Sequence, residues 1–149
     1  AAQTRLGMER FWCESLLHCF DVLDGPEGND PCLRPNQILA VSLPAIDGPG
    51  EALFDPRRRQ AIVETVGREL LTSYGLRSLA PSHAAYKGTY GGDPAERDSQ
   101  YHQGPVWGWL LGPFTAAHLR VFAEREAAMR LLEIPLTALA EVTVYQAGG

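Results

Sequence analysis

Little in this sequence argues for a nucleic acid, a membrane or a metal as its partner. Its 149 residues carry 13 Lys and Arg against 18 Asp and Glu, a formal net charge of -5. Nucleic acid and anionic membrane both reward clustered basic residues. The only dense basic run, Arg57-Arg58-Arg59, follows Asp55 at a helix start and reads as a solvated helix face. No apolar stretch is long enough to span a membrane, and the N-terminus lacks the apolar core of a signal peptide. The three cysteines, Cys13, Cys19 and Cys32, show no Cys-x-x-Cys spacing, and their odd number suits a reducing compartment. A cytoplasmic location is the expectation. His18, His83, His102 and His118 are scattered, with no His-x-x-x-His pair, so no metal is expected. Gly91-Gly92 is followed by Asp93 rather than by Lys and a helix start, which counts against phosphate binding. The nucleophile elbow Gly-x-Ser-x-Gly is also missing.

What is present is enough apolar material for one domain with a real core, at 45% hydrophobic residues. Arg34 to Leu43 reads as a helix with Pro35 in its first turn, where the missing N–H costs nothing. Its run Ile38-Leu39-Ala40-Val41 is apolar on every side, so the helix must be buried all round. The next helix differs. Asp55 caps it, Pro56 starts it, and Ile62, Val63, Val66 and Leu70 form one stripe, leaving a wet face. Pro105 opens a second buried helix, with Trp107, Leu110, Leu111, Phe114, His118 and Val121 at helical spacing and Pro113 expected to bend it. Glu124 to Leu132 and Pro135 to Val142 read as amphipathic outer helices. Buried helices alternating with half-wet ones are the demand of an α/α barrel, whereas a plain bundle would be amphipathic throughout.

Two segments stand apart. Phe11 to Leu23, ending at Asp24-Gly25-Pro26, is consistent with a small β-hairpin. Ser73 to Gly104 has little periodicity and is rich in Gly and Tyr, as a long functional loop would be.

Both buried helices have polar N-terminal ends: Arg34-Pro35-Asn36-Gln37 in one, Tyr101-His102-Gln103-Gly104 before the other. If these helices run parallel, the polar ends meet at one rim, with the Tyr-rich loop over the same face. Asn, Gln, His and Arg offer the mixture of donors and acceptors that sugar hydroxyls require, and Tyr and Trp offer flat apolar faces. Taken singly, Asn36 and Gln37 read as helix caps, Arg34 as the ion-pair partner of Asp30 or another carboxylate, His102 as a structural histidine, and at least one of Trp107 and Trp109 as core. The joint pattern favours a site. Glycoside hydrolysis needs two carboxyl groups. Asp93, Glu96 and Asp98 are candidates, but with Arg97 among them they read better as a salt-bridged loop.

Five strings add a resemblance. Asp24-Gly25-Pro26-Glu27-Gly28-Asn29-Asp30, Leu33-Arg34-Pro35-Asn36-Gln37, Tyr74-Gly75-Leu76-Arg77-Ser78-Leu79-Ala80-Pro81, Tyr86-Lys87-Gly88-Thr89-Tyr90-Gly91-Gly92-Asp93 and Tyr101-His102-Gln103-Gly104-Pro105-Val106-Trp107 run in order over nearly the whole chain. Together they resemble the C-terminal domain of bacterial glycogen debranching enzymes, the amylo-α-1,6-glucosidase family. The resemblance implies an all-α fold, part of an (α/α)6 toroid of the six-hairpin glycosidase type, with inverting hydrolysis of α-1,6-glucosidic branches, an α-glucan or branched oligosaccharide as partner, and no cofactor. It places the general acid in a Trp-Met-Asp-Ala-like motif upstream and the base in a Ser-Glu-Ile-Phe-Asp-like motif downstream. Neither motif occurs here, so residues 1–149 are expected to be one piece of the catalytic domain without its catalytic pair. The turn at Cys13-Glu14-Ser15 and the lead-in at Gln146 depart from the family pattern. Arg34, Asn36, Tyr101, His102, Gln103 and Trp107 are the expected substrate-binding residues. The competing readings are a non-catalytic carbohydrate-binding module and a related α/α-barrel hydrolase acting on trehalose or another glucoside.

Overall fold

The computed structural model describes residues 2–43, 52–122 and 130. The chain opens with α1 (Ala2–Glu9) and continues as two antiparallel hairpins. β1 (Trp12–Cys13) pairs with β2 (His18–Cys19), and β3 (Val22–Gly25) with β4 (Gly28–Asp30). The second hairpin turns through Pro26-Glu27 and closes on Gly28, whose φ of 95° suits glycine.

A single 3-10 turn, Pro35–Gln37, leads into α2 (Ile38–Ser42). Gln37 fastens this turn to the first hairpin. Its side chain accepts from the Cys19 N–H at 3.0 Å and donates to the Arg34 carbonyl at 3.2 Å. α3 (Pro56–Leu70) starts where the sequence places it, with the Asp55 side chain accepting from the Arg58 N–H at 3.0 Å. Ile62, Val63, Val66 and Leu70 are all buried, as their spacing predicts. They meet Ile38, Val41, Leu76, Leu110, Leu111, Phe114 and Ala117 in one core, with α5 (Leu111–Phe122) packed against both α2 and α3.

A three-stranded antiparallel sheet joins this core to the rest: β5 (Leu71–Thr72), β6 (Gly75–Arg77) and β7 (Val106–Trp107), with β6 in the middle. Gly75 makes it possible. Its φ is 148°, and a Cβ there would lie 2.5 Å from the Trp107 carbonyl oxygen and 2.8 Å from the Gly108 Cα.

Several expectations are corrected. The fold is not all-α, because three small antiparallel sheets accompany the helices. Their strands are two to four residues long, too short to imprint an alternating pattern on the sequence. The one hairpin expected is two. The helix expected from Pro105 is instead β7, a 3-10 turn at Gly108–Leu110, and then α5. Pro113 falls in the first turn of α5, where proline is tolerated. The stretch from Ser73 to Gly104 is not a plain loop: it holds β6 and α4 (Pro94–Gln100). Arg130 aside, the outer helices expected at 124–132 and 135–142 lie outside the described residues.

Two glycines should respond differently to alanine. Gly75→Ala should destabilise by at least about 1–3 kcal/mol from backbone strain alone, with the contact against Trp107 adding to it. Gly112, in α5, has open space where a Cβ would stand, with nothing within 4 Å, so Gly112→Ala should be neutral or stabilise by up to about 1 kcal/mol. Thermal melts of both variants check this, and a neutral Gly75→Ala would refute the close approach of β6 and β7.

Candidate functional site

The polar stretch at Arg34 and the one at residues 101–104, which leads into β7 rather than into a helix, meet around one side chain. The guanidinium of Arg34 lies 3.0 Å from Asp21 Oδ2 through Nε, and both side chains are largely buried, at 17% and 20% exposure. Its Nη1 donates to the carbonyls of Ser78 at 3.1 Å and His102 at 2.5 Å, and its Nη2 to Gln103 Oε1 at 3.4 Å. Arg34 therefore ties the residue before β3, the residue after β6 and the 101–104 turn together. Four of the five N–H donors of the guanidinium are engaged in this way. The other expected residue on that turn, Asn36, is exposed, and its side chain pulls the Asp21 carboxyl down slightly.

The aromatic residues gather beside it. Ring centroids of Tyr101 and His102 are 5.0 Å apart, His102 and Trp107 5.2 Å, and Tyr101 and Trp107 5.8 Å. Tyr90 extends the group at 6.3 Å from Tyr101, and Trp109 stacks on Trp107 at 6.2 Å with planes 22° apart. Tyr90, Tyr101, His102 and Trp109 are exposed, while Trp107 is half-buried, with its Nε1 lacking any hydrogen-bond partner among the described residues. Trp107 thus anchors an aromatic face whose outer members are open to a ligand. Of the six expected residues, Tyr101, His102 and Trp107 form this ring group, Arg34 and Gln103 are bonded beside it, and Asn36 is reached only through Asp21.

The long connection folds back over the same face. The Lys87 N–H donates to the Gln103 carbonyl at 2.6 Å, the Gly104 N–H to Ser78 Oγ at 2.9 Å, and Arg77 Nε to the Tyr86 hydroxyl at 3.3 Å. Gly104, at φ 139°, packs so closely on the Lys87 carbonyl and the Tyr86 ring that a Cβ would collide with both.

The acidic cluster is built differently from the salt-bridged loop expected. Asp93 and Glu96 form a capping box on α4: Asp93 Oδ1 accepts from the Glu96 N–H and Glu96 Oε2 from the Asp93 N–H, each at 2.9 Å. Arg97 donates to the Gly92 carbonyl at 2.6 Å instead of pairing with these acids. Two carboxyls engaged in capping are poor candidates for an acid and a base.

Sequence reasoning missed Asp21 and the group Asp30, Cys32 and His83. Burial pushes the Asp21 carboxyl above its usual range, Arg34 pulls it back, and Asp30 pushes the same way as burial. Cys32 Sγ lies 3.0 Å from His83 Nε2, while His83 Nδ1 accepts from the Ala85 N–H at 3.1 Å. With Nδ1 accepting, Nε2 carries the ring proton and donates to sulfur. The Cys32 N–H in turn donates to Asp30 Oδ1 at 2.9 Å, and the Cys32 thiol and this N–H hold that carboxyl below its usual range. Burial first, then Asp30, raises the Cys32 thiol to about 11. This is a neutral thiol clamping the second hairpin to the 80–86 segment, not an activated nucleophile. An Asp inside the short strand signal at Phe20-Asp21-Val22 is the one available hint of Asp21.

Comparison with known proteins bears on this geometry. The family model described as amylo-α-1,6-glucosidase matches residues 2–147. The glycogen debranching enzyme of Saccharomyces cerevisiae is 30% identical over 99 residues, an alignment covering 62% of this chain and 6% of that enzyme. The chain thus spans a small part of the length of this curated relative.

The thiols allow a test of the packing. Burial lifts Cys19 from the ordinary 9.0 to about 12, and Cys32 lies at about 11, whereas a hydrogen bond from Ser15 lowers Cys13. In the unfolded chain the first two ionise near their ordinary value, so the native state is favoured fully below pH 9 and loses stability as pH rises from there towards 11 and 12. Denaturation midpoints should fall over that range, and Cys32→Ala should flatten the fall between about 9 and about 11. At a pH of about 8, below the ordinary thiol value, an aromatic disulfide reagent should modify Cys13 quickly, and Cys19 and Cys32 only after unfolding. Three equally fast thiols would contradict the burial described.

Proposed function

Because the chain belongs to the amylo-α-1,6-glucosidase family, we propose that the complete protein hydrolyses α-1,6-glucosidic branches of an α-glucan and releases glucose. The domain is of a glycosidase family related to glycogen debranching. The observation that carries the finer reading is the convergence of exposed aromatic rings with the polar turn at His102 and Gln103. Flat rings suit the C–H faces of glucose. An imidazole and a carboxamide beside them supply donors and acceptors for its hydroxyls.

Within this reading Tyr101, His102, Gln103 and Trp107 touch the sugar, and Arg34 and Asn36 hold the rim from below. The reaction inverts the anomeric centre. One carboxylic acid protonates the leaving oxygen and a carboxylate activates water from the opposite face. Both groups come from outside these residues, consistent with the capping roles of Asp93 and Glu96. The three cysteines are free thiols, which suits action in the cytoplasm. No helix among the described residues is long and apolar enough to cross a membrane.

The complete protein should release glucose from a branched limit dextrin, and the 149-residue chain alone should not. General acid and base groups contribute about 10²–10⁴-fold each, so losing both removes detectable turnover. In the complete protein His102→Ala or Gln103→Ala should lower kcat/KM about tenfold, the worth of one well-made hydrogen bond to substrate. Sugar binding without any turnover by the complete protein would leave the carbohydrate-binding reading standing instead. Turnover by the short chain would mean that the catalytic carboxyls lie within it.

A further inference from the structure

We infer that Asp21 is a positioning residue of the sugar site, acting through Arg34 on the turn that carries His102 and Gln103. The inference rests on the glucosidase reading above and extends it to a residue outside the binding face.

The chain of contacts is short. Asp21 sits just before β3, held there by its backbone N–H, which donates to the Asp30 carbonyl at 2.9 Å. Its carboxylate takes the Nε edge of Arg34 at 3.0 Å. A guanidinium is planar and rigid, so fixing Nε fixes the directions of Nη1 and Nη2 as well. Those two nitrogens meet the His102 carbonyl and the Gln103 side chain. Rotation of Arg34 would release both at once. The remaining acceptors around the guanidinium are neutral: two carbonyl oxygens and a carboxamide oxygen. Asp21 is the carboxylate that bonds Arg34 in this largely buried position, and charge-assisted bonds of this kind are roughly twice as strong as neutral ones.

Loss of Asp21 need not unfold the turn. The Gly104 N–H still reaches Ser78 Oγ, and the Lys87 N–H still reaches the Gln103 carbonyl. The turn would stay attached while losing its orientation, which is the behaviour of a positioning residue. Its loss also costs stability, because Arg34 then keeps a largely buried charge without a carboxylate, so the effect on the sugar contacts is read on folded protein.

The test uses the complete protein. Asp21→Asn keeps the shape and removes the charge, and kcat/KM on branched limit dextrin should fall about tenfold, with Asp21→Glu recovering part of it. In a His102→Ala background the same change should add little, because both act on one set of contacts. Asp24→Asn, at an exposed carboxylate paired with Arg10, should leave turnover unchanged. Amide exchange supplies a readout that needs no activity: Asp21→Asn should speed exchange across residues 101–104 and leave α3 unaffected. If Asp21→Asn does not fold, Arg34→Lys replaces it, since an ammonium cannot hold Asp21, His102 and Gln103 together. Wild-type kinetics in Asp21→Asn, full multiplication of its effect with that of His102→Ala, or unaltered exchange at 101–104 would overturn the inference. If the wild-type protein releases no glucose, the glucosidase reading falls, and the exchange experiment still decides whether Asp21 holds the turn.

Discussion

A single guanidinium, that of Arg34, is the join on which the arrangement depends. It receives one carboxylate, two backbone carbonyls and one carboxamide from segments far apart in sequence. Arginine suits the position for a physical reason. It stays charged under any ordinary condition and presents its donors in a fixed fork, so the directions of several bonds are set together. Burying such a group without a carboxylate would be costly, and breaking a buried pair typically costs about 3–5 kcal/mol. The residual exposure of this pair puts it towards or below the low end of that range.

Around that join, the core and the site share their supports. α5 packs on α2 and α3, and the segment leading into α5 passes through β7 and a 3-10 turn that carry Trp107 and Trp109. Leu76, fully buried in β6, pairs with Trp107 across the sheet, so the aromatic face is registered directly to the hydrophobic core. Gly75 and Gly104 serve this closeness, each removing a side chain where two backbones or a backbone and a ring must approach. The open rings thus stand on a rigid base, while the polar turn beside them is held by side-chain bonds.

Long-period features are legible in the sequence and short ones are hidden. α3 carries an apolar stripe over fifteen residues and a capping aspartate, so both its start and its buried face can be read. The polar ends at Arg34 and His102 can be read too, since unlike residues cluster there before apolar runs. The strands carry too few residues for any periodicity, and the expectation of an all-α fold fails on them. α4 escapes for another reason. None of its residues is buried, so it has no apolar stripe, although Asp93-Pro94-Ala95-Glu96 spells a capping box with proline at the first position. The role of Asp21 is not legible because it exists only once β3 and the 3-10 turn are adjacent in space.

The bond between Lys87 and Gln103 has a consequence for how this surface can change over evolutionary time. It ties off the segment between them at its base, leaving Gly88 to Ser99 exposed beyond that tie. The entropy of closing such a segment grows only logarithmically with its length, about 0.6 kcal/mol for each doubling. Residues gained or lost at the tip therefore cost the domain almost nothing, while they alter how far the rim reaches over the rings. Variation in rim length is decoupled from the integrity of the core, so shape preference at this surface can drift without a compensating change in packing.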